Sequence, residues 1–344
     1  MDTKLTFRAG MMQGQRPAPG SDFDQDQQMA TRACWLYYME GQTQGQIARY
    51  LGTNRVRVNR MLSAARDNGL VQVRINKRLV GCVELEFALR DLFDVAEVHV
   101  VPKPMDPANM RMMVAAQGGR LLSDRLNDDT VVGVGWGRTL QGSLKAMEAR
   151  PISNLEVVSL IGGLTRGSVM NSYETALRLA DMFGAECSYI AGPAFTDTAE
   201  SRAMLMRQPM IVDALEHARR ADIAYISVGA LDMESSMMRL GLIGPEDAET
   251  LKTSGAIGDL LGYWIDENGE IVDHPLNRRV IALPPDDLAG IACVILVTGG
   301  VERYQAIRGA LRKGVIDVLV TDEDTAALIC GGRFASERGL DAPR

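Results

Sequence analysis

Three arginines and an asparagine, Arg55, Arg57, Arg60 and Asn59, crowd the middle of the run TQGQIARYLGTNRVRVNRMLSAAR at 43–66. Set along a helix, these types suit one chemistry well. Arg matches guanine edges and phosphates, and Asn matches adenine. The helices that would carry them are legible. Thr43 and Gln46 form a capping box, and Ile47, Ala48 and Leu51 make one apolar face. Gly52 marks the turn, and Asn54 is a good N-cap for a second helix. There Val58, Met61 or Leu62, and Ala65 recur at helical spacing and point inward. Arg55, Val56, Arg57, Asn59 and Arg60 are left outside. The run therefore predicts a helix-turn-helix whose second helix enters the DNA major groove. The first helix, opening at Thr43 and Gln44, crosses the backbone. The candidate DNA contacts are Thr43, Gln44, Asn54, Arg55, Val56, Arg57, Asn59 and Arg60. A helical hairpin with a merely solvated basic face is the alternative. The flanks weigh against it: WLYY at 35–38 supplies an aromatic first helix that closes a three-helix core, and NGLVQVRIN at 68–76 reads as a turn and a strand, the start of a wing.

A second set of residues suits anion binding. Apolar runs end in glycines at Gly133–Gly137, Gly162–Gly163, Gly229 and Gly299–Gly300, and Arg138, Thr139, Arg166 and Arg303 lie just beyond them. Glycine lets the backbone approach a ligand, and helix N-termini at such turns offer N–H groups to phosphate. In open α/β sheets the carboxyl edge of the strands is where ligands bind. One strand-end glycine is ordinarily just a tight turn. Several with cations beside them predict a site for an anionic, hydroxylated ligand such as a sugar phosphate. The loop at 133–138 is not a dinucleotide fingerprint, because Arg138 stands where the third glycine belongs, and no Walker loop is present. No cofactor is expected. His99, His217 and His274 show no metal-ligand spacing, and the five cysteines form no CxxC, so neither a metal site nor a disulfide framework is expected.

The length of 344 residues suggests two domains, and an apolar content of 46% supports a large core. No apolar run is long enough to span a membrane, and the N-terminus lacks the apolar region of a signal peptide, so a cytoplasmic protein without membrane contact is expected. The net charge of −7 is unevenly placed: residues 31–78 hold nine Arg or Lys against Glu40 and Asp67. A basic module on an acidic body fits a DNA-binding head whose body is repelled by phosphates. The expected organisation is a mobile tail at 1–25, a head at 26–78 and a ligand-binding and oligomerising body at 79–344. In the body, VELEFALRDLF (83–93) reads as a helix linking head and body, and 221–231 as one strand. Short apolar runs alternate with helices, which predicts a mostly parallel sheet covered on both faces. YWIDENGEIV at 263–272 reads as a β-hairpin.

From about Ala30 to Leu328 the chain resembles the SorC family of sugar-responsive bacterial transcriptional regulators. The resemblance rests on WLYY, QIARYLGTNRVRVNRML at 46–62, GWGRTL at 135–140, IGG at 161–163 and Asn171. GDLLGYWIDENGEIV from 258, TGGVERYQAIRGAL at 298–311 and VLVTDEDTA at 318–326 complete it. It implies an all-α, winged helix-turn-helix head and an α/β body with a mostly parallel sheet, similar to phosphosugar isomerases and deaminases. It further implies a phosphorylated sugar or polyol as effector, operator DNA as partner, and a homo-oligomer, dimer or tetramer. Effector contacts carried over to this chain are Gly135, Gly137, Arg138, Thr139, Gly163, Arg166, Asn171, Asp259 and Arg303. The family usually has Lys at position 303; Arg keeps the charge, changes its geometry to a fork and excludes Schiff-base chemistry there. An unphosphorylated sugar or polyol is the alternative ligand. A sugar-phosphate isomerase or deaminase is the alternative function. It would need a positioned general base, for which Asp259, Glu174 and His274 are available, and it would leave the basic head unexplained. A head that binds protein or RNA is a third reading.

Overall fold

The computed structural model describes residues 22–71, 79–164 and 171–336. The expected tail up to residue 21, most of the expected wing strand and Arg166 lie outside the described residues. The chain divides into two compact units, Met1–Val73 and Arg74–Arg344.

In the first unit, α1 (Asp22–Cys34) runs into a five-residue π-helical stretch (Trp35–Met39), followed by α2 (Gln44–Tyr50) and α3 (Arg55–Asp67). Helix α1 thus starts inside the segment expected to be tail. The core is small: Ala33, Cys34, Leu36, Ile47, Ala48, Val58, Leu62 and Ala65. The aromatic run contributes less to it than expected. Leu36 is buried and Tyr38 packs partly against the core, but Trp35 and Tyr37 face solvent. Local capping does much of the work in so short a unit. The Gln46 N–H donates to Thr43 Oγ1 at 3.3 Å and the Thr43 N–H to Gln46 Oε1 at 2.9 Å, closing the capping box. Asn54 Oδ1 accepts from the Arg57 N–H at 2.8 Å and starts α3.

The second unit opens with α4 (Val80–Phe93), β1 (Glu97–Val101), α5 (Met110–Arg125), β2 (Val131–Val134), α6 (Arg138–Ser143) and β3 (Glu156–Ser159). It continues through α7 (Ser172–Phe183), β4 (Glu186–Ser188), α8 (Ala199–Leu205), α9 (Pro209–Arg219), β5 (Ile223–Ile226), β6 (Val228–Ala230), α10 (Ser236–Arg239) and α11 (Pro245–Thr253). It closes with β7 (Gly258–Leu260), β8 (Tyr263–Ile265), β9 (Cys293–Val297), α12 (Tyr304–Arg312), β10 (Val318–Asp322), α13 (Glu323–Cys330) and α14 (Gly332–Ser336). Seven strands form a parallel sheet in the order β1-β10-β9-β5-β2-β3-β4, and β6-β7-β8 form a small antiparallel sheet.

The near-continuous apolar strands follow from burial on both faces. Along β9, Val294 and Leu296 join one core while Ile295 and Val297 join the other. The first core is roofed by α4, through Cys82, Leu85 and Leu89, and by α12 and α13. The second is roofed by α5 and α7. The stretch at 83–93, expected as a linker, is therefore part of a core-packing helix.

One expected strand is two. The apolar run at 221–231 breaks at Ser227: β5 pairs with β2 and β9 in the parallel sheet, and β6 leaves to pair antiparallel with β7. The break is imposed by pairing with a segment about thirty residues further on, not by a local breaker.

Helix α5 packs unusually close to its neighbours. A Cβ on Gly119 would lie 2.2 Å from the Ser143 carbonyl oxygen, and one on Gly118 would lie 2.5 Å from Val297. The Gly119 contact is with backbone, which cannot rotate away, so an added methyl forces α5 and α6 apart. Gly119→Ala should cost about 1–3 kcal/mol, as overpacking does, and lower Tm by several degrees in thermal unfolding. An unchanged Tm would contradict this packing.

Candidate functional site

The residues expected to meet DNA lie together on one side of the first unit. Arg55, Val56, Arg57, Asn59 and Arg60 are exposed on α3, and Val56 is an apolar side chain left 62% exposed among charges. Gln44, at the start of α2, ties the two helices: its Nε2 donates to Asn59 Oδ1 at 3.1 Å and its Oε1 accepts from Arg55 Nε at 3.4 Å. Thr43 and Asn54 cap their helices, and each N-cap side chain is used by its own backbone. Arg57 bonds to Asp26 of α1 at 2.7 Å, a carboxylate standing where a phosphate could stand. Three exposed cations on one helix, one of them joined to Asn59 through Gln44, suit an anionic polymer.

In the second unit the strand order turns back between β2 and β5, since β3 and β4 continue to one side and β9 and β10 to the other. Ligands of open α/β sheets bind at such a switch point, beyond the carboxyl ends. A pocket lies there. Trp136, Gly137, Arg138 and Thr139 come from the turn after β2, and Ser227 from the junction of β5 and β6. Asp232, Ser235 and Met237 follow β6, Asp259 lies on β7, Arg303 follows β9, and Arg111 comes from the first turn of α5.

Five of the nine expected effector residues meet in this pocket: Gly137, Arg138, Thr139, Asp259 and Arg303. Arg166 lies outside the described residues, and Gly135, Gly163 and Asn171 do not line the pocket. The Gly135 N–H donates to Tyr225 O at 2.9 Å, and its Cα faces Leu261. Gly163 lies against the Tyr173 ring, where a Cβ would collide. Asn171 caps α7, accepting from the Tyr173 N–H at 3.3 Å. Arg111, Trp136, Ser227, Asp232 and Ser235 line the pocket and were not singled out from the sequence. Trp136 stands within the GWGRTL run and could have been; the others carry no local signal.

The cations of the pocket repel one another. Burial lowers the Arg138 guanidinium below its ordinary pKa, and the charges of Arg111, Arg239 and Arg303 lower it further. Arg303 is held by the loop before it, donating through Nη1 to Gly299 O at 2.8 Å and pairing with Glu302. That loop is fixed in turn by Asp322, whose Oδ2 accepts from the Gly300 N–H at 2.7 Å. Arg138 and Arg303 sit in the turns after β2 and β9 and Arg111 on α5, so three guanidiniums line the pocket, while Arg239 at the end of α10 acts on Arg138 without lining it.

Asp259 supplies the opposite character. It is buried on β7 and pairs in register with Gly229 of β6, where a Cβ would lie 2.1 Å from Asp259 Oδ1, so only glycine leaves room for the carboxyl group. The Gly262 N–H donates to Oδ2 at 3.1 Å. Burial pushes the carboxyl up to about 6, against the opposing pull of the Gly262 N–H, the Trp136 indole and the Arg303 charge. Its folded pKa stands above the unfolded value of 3.8. The stability it contributes is therefore fully present below 3.8 and is lost as pH rises through about 6. Asp259→Asn mimics the protonated form, so the Tm difference between this variant and wild type should move in favour of the variant from pH 4 to pH 7. A constant difference across that range would contradict the buried carboxyl.

Comparison with known proteins places this geometry. A family model described as "Putative sugar-binding domain" matches residues 77–330. The chain is 30% identical over 310 residues to the erythritol catabolism regulatory protein EryD of Brucella abortus, covering 90% of this chain and 98% of that protein. It is 31% identical over 303 residues to the deoxyribonucleoside regulator of Bacillus subtilis, covering 87% of this chain and 96% of that protein. The full-length sorbitol operon regulator SorC from Klebsiella pneumoniae has the same fold, with a TM-score of 0.66 over 89% of this chain and 100% of that one at 24% identity. With a family model spanning most of its length and relatives aligned nearly end to end, this chain belongs to the SorC family of sugar-binding bacterial transcriptional regulators.

Proposed function

We propose that this protein is a DNA-binding repressor of a sugar or polyol catabolic operon, and that a phosphorylated sugar or polyol in the switch-point pocket releases it from its operator. In this reading α2 and α3 form a helix-turn-helix within a head at 26–78, and α3 enters the major groove. Residues 79–344 bind the effector and assemble the protein as a dimer or tetramer. The repeated heads of a symmetric oligomer then meet a symmetric operator. The phosphate meets Arg138, Arg303 and the backbone at Gly137 and Thr139, with Arg166 as a further contact, and Asp259 receives a sugar hydroxyl. Gly135, Gly163 and Asn171, which the family resemblance also implies as effector contacts, lie outside the lining of this pocket. Likeness of the body to phosphosugar isomerases and deaminases belongs to the same reading.

The observation that carries it is the cluster of Arg111, Arg138 and Arg303 lining the switch-point pocket, with Arg239 close enough for its charge to act on Arg138. Such a cluster favours an anionic ligand. The name of EryD makes four-carbon polyol phosphates the first compounds to try. The arrangement of candidate bases supports a sensor over an enzyme. Asp259 is in the pocket, but Glu174 pairs with Arg178 on α7, and His274 bonds Thr250 Oγ1 at 3.0 Å. Neither lines the pocket beside Asp259.

The test is fluorescence anisotropy on duplex DNA from upstream of the gene, titrated with free and phosphorylated sugars and polyols. One phosphorylated compound should weaken specific binding at least tenfold. Arg138→Gln should keep DNA affinity and lose the response; a retained response would remove Arg138 from the anion site, and turnover of the compound would favour the enzyme.

The head is tested separately. Replacing Arg55 and Asn59 by Ala should remove about 1–3 kcal/mol of base discrimination for each bidentate pair broken and leave effector binding intact in calorimetry. Unchanged operator preference would mean that another surface reads the DNA.

A further inference from the structure

Among the described residues, four buried side-chain polar atoms have no hydrogen-bond partner: Tyr225 Oη, Trp264 Nε1, Thr321 Oγ1 and Asp232 Oδ1. Of these residues, only Asp232 lines the pocket. A buried carboxylate oxygen left unpaired is costly, and native proteins rarely keep one without a partner in the functional state. Asp232 follows β6 directly, and its backbone oxygen accepts from the Ser235 N–H at 3.1 Å, which fixes the loop. Its Oδ1 is left for something that enters the pocket.

A carboxylate oxygen only accepts, so the incoming group must be a donor. An ammonium group is disfavoured, because it would enter a pocket already crowded with guanidiniums. A hydroxyl donates without charge. The charge of Arg303 acts on both Arg138 and Asp259, so the pocket presents cationic and acidic groups to the same ligand.

We propose that Asp232 is a specificity-determining residue that accepts a hydrogen bond from a ligand hydroxyl, so that the pocket selects polyhydroxylated phosphate esters over phosphate itself. The assignment rests on the phosphate-ester reading of the pocket and adds to it the group that tells one ester from another. Asp259 is already partly satisfied by Gly262 and Trp136; Asp232 Oδ1 has its full accepting capacity to give. Hydroxyl recognition by an otherwise unpaired carboxylate discriminates strongly, because an analogue lacking the hydroxyl leaves the oxygen buried and dry.

The test is isothermal titration calorimetry on the full chain with polyol phosphates of three to six carbons, n-propyl phosphate and inorganic phosphate. Wild type should bind at least one polyol ester more tightly than n-propyl phosphate. Asp232→Asn and Asp232→Ala should lower that preference by about tenfold to a hundredfold, the worth of a hydrogen bond to a charged group. Neither variant should lose affinity for inorganic phosphate, since each removes a negative charge from the pocket, and their Tm values report that they fold. Should wild type show no preference among the esters, or should the preference survive in both variants, Asp232 holds only water and the inference alone fails. If neither phosphate nor any ester binds wild type, the phosphate reading itself falls and the inference falls with it.

Discussion

The fold of the second unit holds Arg138 half-buried where the charges of Arg111, Arg239 and Arg303 act on it. Guanidiniums free to move would separate. These come from four places: the start of α5, the turn after β2, the end of α10 and the turn after β9. The turns after β2 and β9 meet because a parallel sheet aligns the carboxyl ends of its strands, and the reversal of strand order between β2 and β5 leaves a crevice there. The strand ends cannot relax apart without breaking ladders covered by apolar cores on both faces. The sheet thus holds these cations in the place where, in the proposed reading, the phosphate of the effector meets them.

The same edge also makes room for carboxyl groups. The chain leaves the main sheet at Ser227 and forms a second, antiparallel sheet whose middle strand carries Asp259. The turn after that strand has positive φ at both Leu261 and Gly262, 52° and 82°. This pattern favours Asn-Gly, and a leucine there is strained. Leu261 is held by complete burial, and Gly262 by its bond to Asp259. The pocket therefore takes Arg138 and Arg303 from turns of the large sheet, and Asp232 and Asp259 from the small sheet and the loop after its first strand.

Much of this was legible in the sequence where the signal is local. The capping box at Thr43 and Gln46, the Asn54 cap, and the glycines and cations after β2 and β9 each announce themselves within a few residues. The alternation of apolar runs and helices gave the parallel sheet. What stayed hidden depends on distant pairing. The run at 221–231 is apolar throughout, and nothing within it says that Val228 will leave the sheet to meet Leu260. Arg111 looks like any charged residue on a Met-rich helix until the fold brings α5 beside the turn after β2. Gly163 and Asn171 came from the family resemblance, which carries no information on local packing: Gly163 lies against the Tyr173 ring and Asn171 caps α7.

A ligand shifts an equilibrium only by its differential affinity for two arrangements, so the part of the pocket that can differ between states matters most. The large sheet is a poor candidate, being buried on both faces. The small sheet has three strands of three residues each, and it packs beside α12: a Cβ on Gly258 would lie 2.5 Å from Ala306, and one on Gly269 would lie 2.6 Å from the Gly309 oxygen. Arg303 stands immediately before that helix. In the proposed reading a ligand held by Arg303 and Asp259 touches both partners of this contact, so the boundary between the small sheet and α12 is where two arrangements would differ in their affinity for it.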